Sequence, residues 1–138
     1  MSLNHSGESV VKLHTLYFDE ISFWRSGKKI LKSDLKLNFA KSYQFDEEYR
    51  QCVVHLTCNL HDKDRETLKL RIGITGEFAC DDPDNSRREV LLKKNTLAIL
   101  FPYVRSQISL VTSQPGMTPI VLPPMNINAI FSESEDEK

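Results

Sequence analysis

No charge of one sign dominates this chain: 18 basic residues are interleaved with 19 acidic ones, leaving a formal charge of −1. A surface that tracks a phosphate backbone needs a basic excess, so nucleic acid is not an expected partner. Long apolar runs are missing too. Nothing approaches the roughly 18 consecutive apolar residues of a membrane span, and the opening MSLNHSGESVVK lacks the apolar centre of a secretory signal. A cytoplasmic location without membrane insertion is therefore expected. Glycine is scarce, at 5 of 138 residues, and no GxGxxG, P-loop, GxSxG or HExxH occurs. Without these signals of nucleotide cradling or hydrolysis, no cofactor and no enzyme activity are expected. Cysteine is limited to three residues, an odd number lying in strand-like segments, which fits free thiols in a reducing compartment better than a disulfide scaffold.

What is present is enough for one domain, expected over residues 1–131, with the acidic, apolar-free SESEDEK of 132–138 as a disordered tail. The first half reads as strands at Val10 to Trp24, Asp34 to Phe45, Glu48 to Leu60 and Thr67 to Cys80. They are separated by SGKK, HDKDRE and DDPDNS, gaps too short for crossover helices, so the strands should be antiparallel. Leu68, Leu70, Ile72 and Ile74 alternate with Lys69, Arg71, Gly73 and Thr75, which makes one face apolar and the other polar or small. Leu35, Leu37 and Phe39 against Lys36 and Asn38 repeat the logic.

After DDPDNS the period lengthens: Leu97, Leu100, Val104, Ile108 and Val111 form the stripe of an amphipathic helix. Asn95 or Thr96 is the expected cap, with a separate helical turn at Ser86 to Glu89 and a bend or fresh start near Phe101, because Pro102 cannot donate to the preceding turn. GMTPIVLPP should be an extended packed loop, and Asn126 should cap a last turn.

Some residues invite chemistry. Cys52, His55, Cys58 and His61 recur every three residues like zinc ligands, but in a strand that spacing puts the cysteines on one face and the histidines on the other. His14 and His55 lie in strands, where a satisfied or solvated imidazole is the ordinary outcome. Glu47-Glu48 and Asp81-Asp82 read as solvated turn pairs.

The C-terminal third carries an ordered series: LFPYVR (Leu100 to Arg105), a following helix, TPIVLPPMN (Thr118 to Asn126) and a closing AIF. Together with LYFDEISF (Leu16 to Phe23) and Gly76-Glu77-Phe78, this series resembles the SecB export chaperones over roughly Val11 to Phe131. The resemblance implies an α+β fold, a four-stranded antiparallel sheet with C-terminal helices packed on one face, assembled as a homotetrameric dimer of dimers. It also implies an ATP-independent holdase for unfolded polypeptides and preproteins. By position it assigns Leu35, Leu37, Phe39 and Phe78 to client binding, and Leu68, Leu70, Ile72 and Ile74 to the subunit interface or groove. Glu20 keeps an acidic position toward the ATPase SecA, whereas Trp24, Lys69 and Arg71 depart from the family's acidic face. Those departures, with the short C-terminus, point equally to a dedicated chaperone for one client, such as the antitoxin of a toxin-antitoxin system.

Overall fold

The structure, a computed structural model, describes residues 10–64 and 67–136. Four strands, β1 (Val11–Arg25), β2 (Leu35–Phe45), β3 (Gln51–Asp62) and β4 (Leu68–Cys80), precede two helices, α1 (Asn85–Val111) and α2 (Ile127–Asp136). All strand pairs are antiparallel, the short gaps joining paired neighbours only from β2 to β4, and the order is β1-β4-β3-β2. β1 is thus not the neighbour of β2. Residues 26–34 carry the chain across the end of the sheet, starting at Gly27, whose φ of +93° suits a residue without a Cβ.

The apolar rows predicted by period two converge under α1. Leu68, Leu70, Ile72 and Ile74 from β4 meet Val54, Leu56, Cys58 and Leu60 from β3, and all are at most 3% exposed. Leu92, Leu97, Leu100, Val104 and Ile108 of α1 are completely buried over them. The β4 row, which the resemblance assigns to the subunit interface or groove, forms the floor of this chain's own core. Phe78, expected in client binding, is 1% exposed and belongs to that core as well. Within this chain α1 covers the face that carries both.

α1 is one helix of 27 residues. Asp84, not Asn95 or Thr96, caps it by accepting the Ser86 N–H (3.1 Å). Thr96 is buried in mid-helix, its hydroxyl donating to the Leu92 carbonyl (2.5 Å). Pro102 lies inside α1, so no fresh helix starts near Phe101. It deprives the Ala98 carbonyl of a donor, and both residues are exposed, which leaves that carbonyl open to solvent. Arg88, 3% exposed, ties the helix start to the sheet by donating to the carbonyls of Glu48 (2.9 Å) and Asp82 (2.8 Å).

Beyond α1 the proline-rich connector runs extended along the helix. Thr112 accepts the Ile120 N–H (2.9 Å), Ser109 donates to the Ile120 carbonyl (3.0 Å) and Arg105 donates to the Leu122 carbonyl (3.2 Å). These bonds seat Ile120 and Leu122 in the core at 6% exposure each. Asn126 then caps α2, its Oδ1 accepting the Ala129 N–H (3.1 Å). α2 continues to Asp136, so Ser132 to Asp136 extend a helix where the sequence reads as a tail; residues 137–138 lie outside the described ones.

Candidate functional site

β2 is a sheet edge that α1 does not fully cover. Leu35, Leu37, Phe39, Lys41, Tyr43 and Phe45 all point to the helix side, and every one is only half-buried. On the sheet's helix side β3 and β4 are sealed, whereas β2 forms the open wall of a trough. Phe39 packs edge-on against Phe101 of α1, centroids 5.7 Å apart at 77°. A hollow of about 370 Å³ lies beside it, lined by Leu37, Asn38, Phe39, Met125, Ile130 and Phe131. Met125 also lines a neighbouring hollow of about 310 Å³ with Phe101, Pro102 and Ile127, and its unbranched thioether adapts to varied shapes. The Lys41 ammonium sits 4.5 Å from the Phe131 ring centroid, giving the trough one cationic edge.

Farther along β2, Tyr43 stacks on Phe45 (5.5 Å, 17°), and Phe45 meets Tyr49 (5.0 Å). The Tyr43 hydroxyl donates to the Lys93 carbonyl (2.8 Å), anchoring this aromatic row to α1. The ammonium of Lys93 donates to Glu89 (2.7 Å), and that carboxylate raises its pKa.

Of the residues assigned from sequence, Leu37 and Phe39 stand in the trough wall and Leu35 begins the same row. Met125, Ile130 and Phe131 complete the lining, and in the sequence they belong to TPIVLPPMN and AIF, which carry the resemblance. Their helical and loop spacing carries no sign that α2 lies across from β2. Phe78 and the Leu68 to Ile74 row are absent from the trough, being interior.

The opposite face of the sheet is mixed, with Tyr17, Trp24 and Val53 exposed beside a polar network. A bulge between Phe18 and Glu20 turns Asp19 onto it, where Asp19 accepts from the Thr75 hydroxyl (2.6 Å) and pairs with His55 Nδ1 (3.1 Å). His55 Nε2 meets the Thr57 hydroxyl (3.1 Å). This chain resembles an acid-histidine-hydroxyl relay, but Thr57 is 4% and Thr75 7% exposed, so neither hydroxyl offers itself to a substrate. The arrangement instead ties β1, β3 and β4 together.

Glu20 lies on the same face, paired with Arg71 at 2.7 Å, and Arg71 also donates to Asn59 (3.0 Å). The Lys69 ammonium stands 5.2 Å from the Trp24 ring centroid. Cys52 and Cys58 point into the core and His55 and His61 to the opposite face, so the four cannot share an ion. Burial pushes both thiols up to about 12, which keeps them protonated and unreactive at neutral pH.

The family described as preprotein translocase subunit SecB matches residues 4–138. A SecB export protein of Cellvibrio japonicus is 26% identical over 113 residues, covering 82% of this chain and 66% of that protein. One from Methylobacillus flagellatus is 25% identical over 95 residues, 69% of this chain and 60% of its own length. An uncharacterized Methanocaldococcus jannaschii protein is 43% identical over 74 residues, 54% of this chain and 48% of that one. The chain thus spans about half to two thirds of these relatives. A SecB-like chaperone of Mycobacterium tuberculosis, solved with a ChAD peptide from the HigA1 antitoxin, shares the fold. Its TM-score is 0.65 at 12% identity, over 86% of this chain and 89% of that one.

Proposed function

The chain belongs to the SecB family, and from that premise we propose that it is an ATP-independent holdase whose trough along β2 receives unfolded polypeptide. The half-burial of Leu35, Leu37 and Phe39 along a whole strand edge, facing Met125, Ile130 and Phe131, carries this reading. A folded core has no need to leave such a row half-open, whereas a client of variable sequence offers apolar area as its common property. Each few hundred Å² of apolar surface covered contributes several kcal/mol at about 25 cal/mol per Å² before ordering costs are subtracted. β2 also has a free edge, so an extended client gains main-chain hydrogen bonds along it.

The charge pattern favours a dedicated client over general export. Glu20 is neutralised by Arg71, and Lys69 lies over Trp24, so the face opposite the helices offers little attraction to a basic export partner such as SecA. The M. tuberculosis relative, solved on an antitoxin peptide, is consistent with that choice.

Assembly with further copies fits the opposite edge. β1 pairs only with β4, leaving the other edge of its 15 residues open, and Tyr17, Ile21 and Trp24 are about half-exposed. On α1, Ile99, Tyr103 and Leu110 flank the buried face on the side away from Arg105 and Ser109, which hold the connector. β1 and this stripe would together supply the contact of a dimer, and pairs of dimers a tetramer.

Three measurements test the reading. The protein should suppress aggregation of a chemically unfolded client without nucleotide, and Phe39→Asp should remove that activity; undiminished suppression by the variant would remove the trough from the mechanism. Cross-linking followed by mass spectrometry of co-purified chains should return one dominant small partner, and a broad set of signal-bearing preproteins would restore the export role. In light scattering, a monomer at micromolar concentration would exclude the assembly.

A further inference from the structure

The largest of the described cavities, about 470 Å³, lies where the β1–β2 connection meets the α1–α2 connector. Four cations line it: Arg25, Lys28, Lys29 and Lys32. No carboxylate lines it, and none of the four has an acidic partner among the described residues. The chain as a whole is almost neutral, yet Arg25 to Lys36 holds five basic residues against Asp34 alone, and the facing segment 112–126 holds no charge. Positive charge is therefore concentrated at one concave place.

The walls of this cavity are not wholly polar. Ile30 is half-buried, Met117 is half-buried and Ile120 forms a floor at 6% exposure. Leu31 of the same connection is 51% exposed beside it. The α1–α2 connector that lines this cavity at Met117 and Ile120 lines the trough at Met125, and the β1–β2 connection runs directly into Leu35 of the trough wall. A chain lying in the trough along β2 is thereby led past the cations.

We propose that this cavity is a charge-selective extension of the trough, and that it takes an acidic segment of the client in which carboxylates are interspersed with aliphatic residues. The inference rests on the holdase reading and names the class of client. Lysine ammonium groups on flexible stems suit carboxylates at varied spacings, while Ile30 and Ile120 cover the aliphatic residues between them. An unpaired cluster of like charges repels itself, and an acidic segment relieves that repulsion.

The test is fluorescence anisotropy with two labelled peptides that share their aliphatic residues, one bearing Glu and Asp, the other Lys and Arg. Wild-type protein should bind the acidic peptide about tenfold tighter at low salt, and the difference should shrink in about 1 M salt. The triple variant Lys28→Glu, Lys29→Glu, Lys32→Glu should reverse the preference. The corresponding Gln triple variant should abolish the preference without reversing it, with both variants melting as wild type does because the three lysines are exposed.

Equal binding of both peptides, unchanged by charge reversal, would overturn the charge selectivity and leave the holdase standing. Failure to bind either peptide, with no suppression of aggregation, would overturn both. Displacement of the acidic peptide by a synthetic SESEDEK peptide or by inorganic phosphate at equal concentration would assign the cavity to the chain's own tail or to a small anion, against the proposal.

Discussion

Gly76 shows how tightly single positions are fixed. A Cβ built there would lie 2.8 Å from Phe78 and 2.9 Å from Leu100, both within the core under α1. Neither neighbour has an empty space to retreat into, so Gly76→Ala should destabilise the fold by roughly 1–3 kcal/mol in urea titration. Asp46 sets a second constraint, at the β2–β3 turn. Its Oδ1 accepts the N–H groups of Arg50 (2.8 Å) and Gln51 (3.0 Å), and the Gln51 bond above all holds its carboxyl below the usual range. Because the folded value is depressed, the contribution is present above the ordinary carboxylate pKa and lost as pH falls through the lowered one. Wild type should therefore exceed Asp46→Ala in stability at neutral pH, and denaturant midpoints should converge in acid. Convergence at neutral pH instead would show that the turn does not depend on the carboxylate.

At the scale of elements, strand positions were legible because alternation in β4 and β2 reports a two-sided environment directly. The pairing of β1 with β4 was not legible, since period two says which face is apolar and nothing about which neighbour completes the sheet. The same limit keeps alternation alone from assigning a role to Phe78 or the Leu68 to Ile74 row. A residue that faces a helix of its own chain and one that faces a second subunit obey the same alternation. Leu37 and Phe39 were legible as apolar, but their openness depends on how far α1 reaches across the sheet. Pro102 did not start a fresh helix: α1 runs through it, and the Ala98 carbonyl it leaves without a donor lies on an exposed residue. Pro102→Ala should restore that hydrogen bond and stabilise the chain by roughly 1–3 kcal/mol, read as a raised urea midpoint. An unchanged midpoint would mean that the tertiary contacts of α1 already offset the proline.

For the whole molecule, the same sheet face is sealed over β3 and β4 and left open over β2, and the two halves should respond oppositely to a buried charge. Ile72 is completely buried in the chain's own core. Ile72→Asp would leave an ionised carboxylate without a partner there, costing several kcal/mol, enough to unfold a domain of ordinary marginal stability. Far-ultraviolet circular dichroism should show that unfolding at every protein concentration, whereas a subunit-interface role predicts a folded, smaller species in light scattering. Phe131 is only half-buried at the trough, beside the Lys41 ammonium. Phe131→Asp keeps the carboxylate near water and a cation, so the chain should remain folded while suppression of client aggregation falls. If both variants unfold, the trough is part of the stability core. If Phe131→Asp folds and still protects clients, the client lies elsewhere on the surface, and the open edge of β2 needs another occupant.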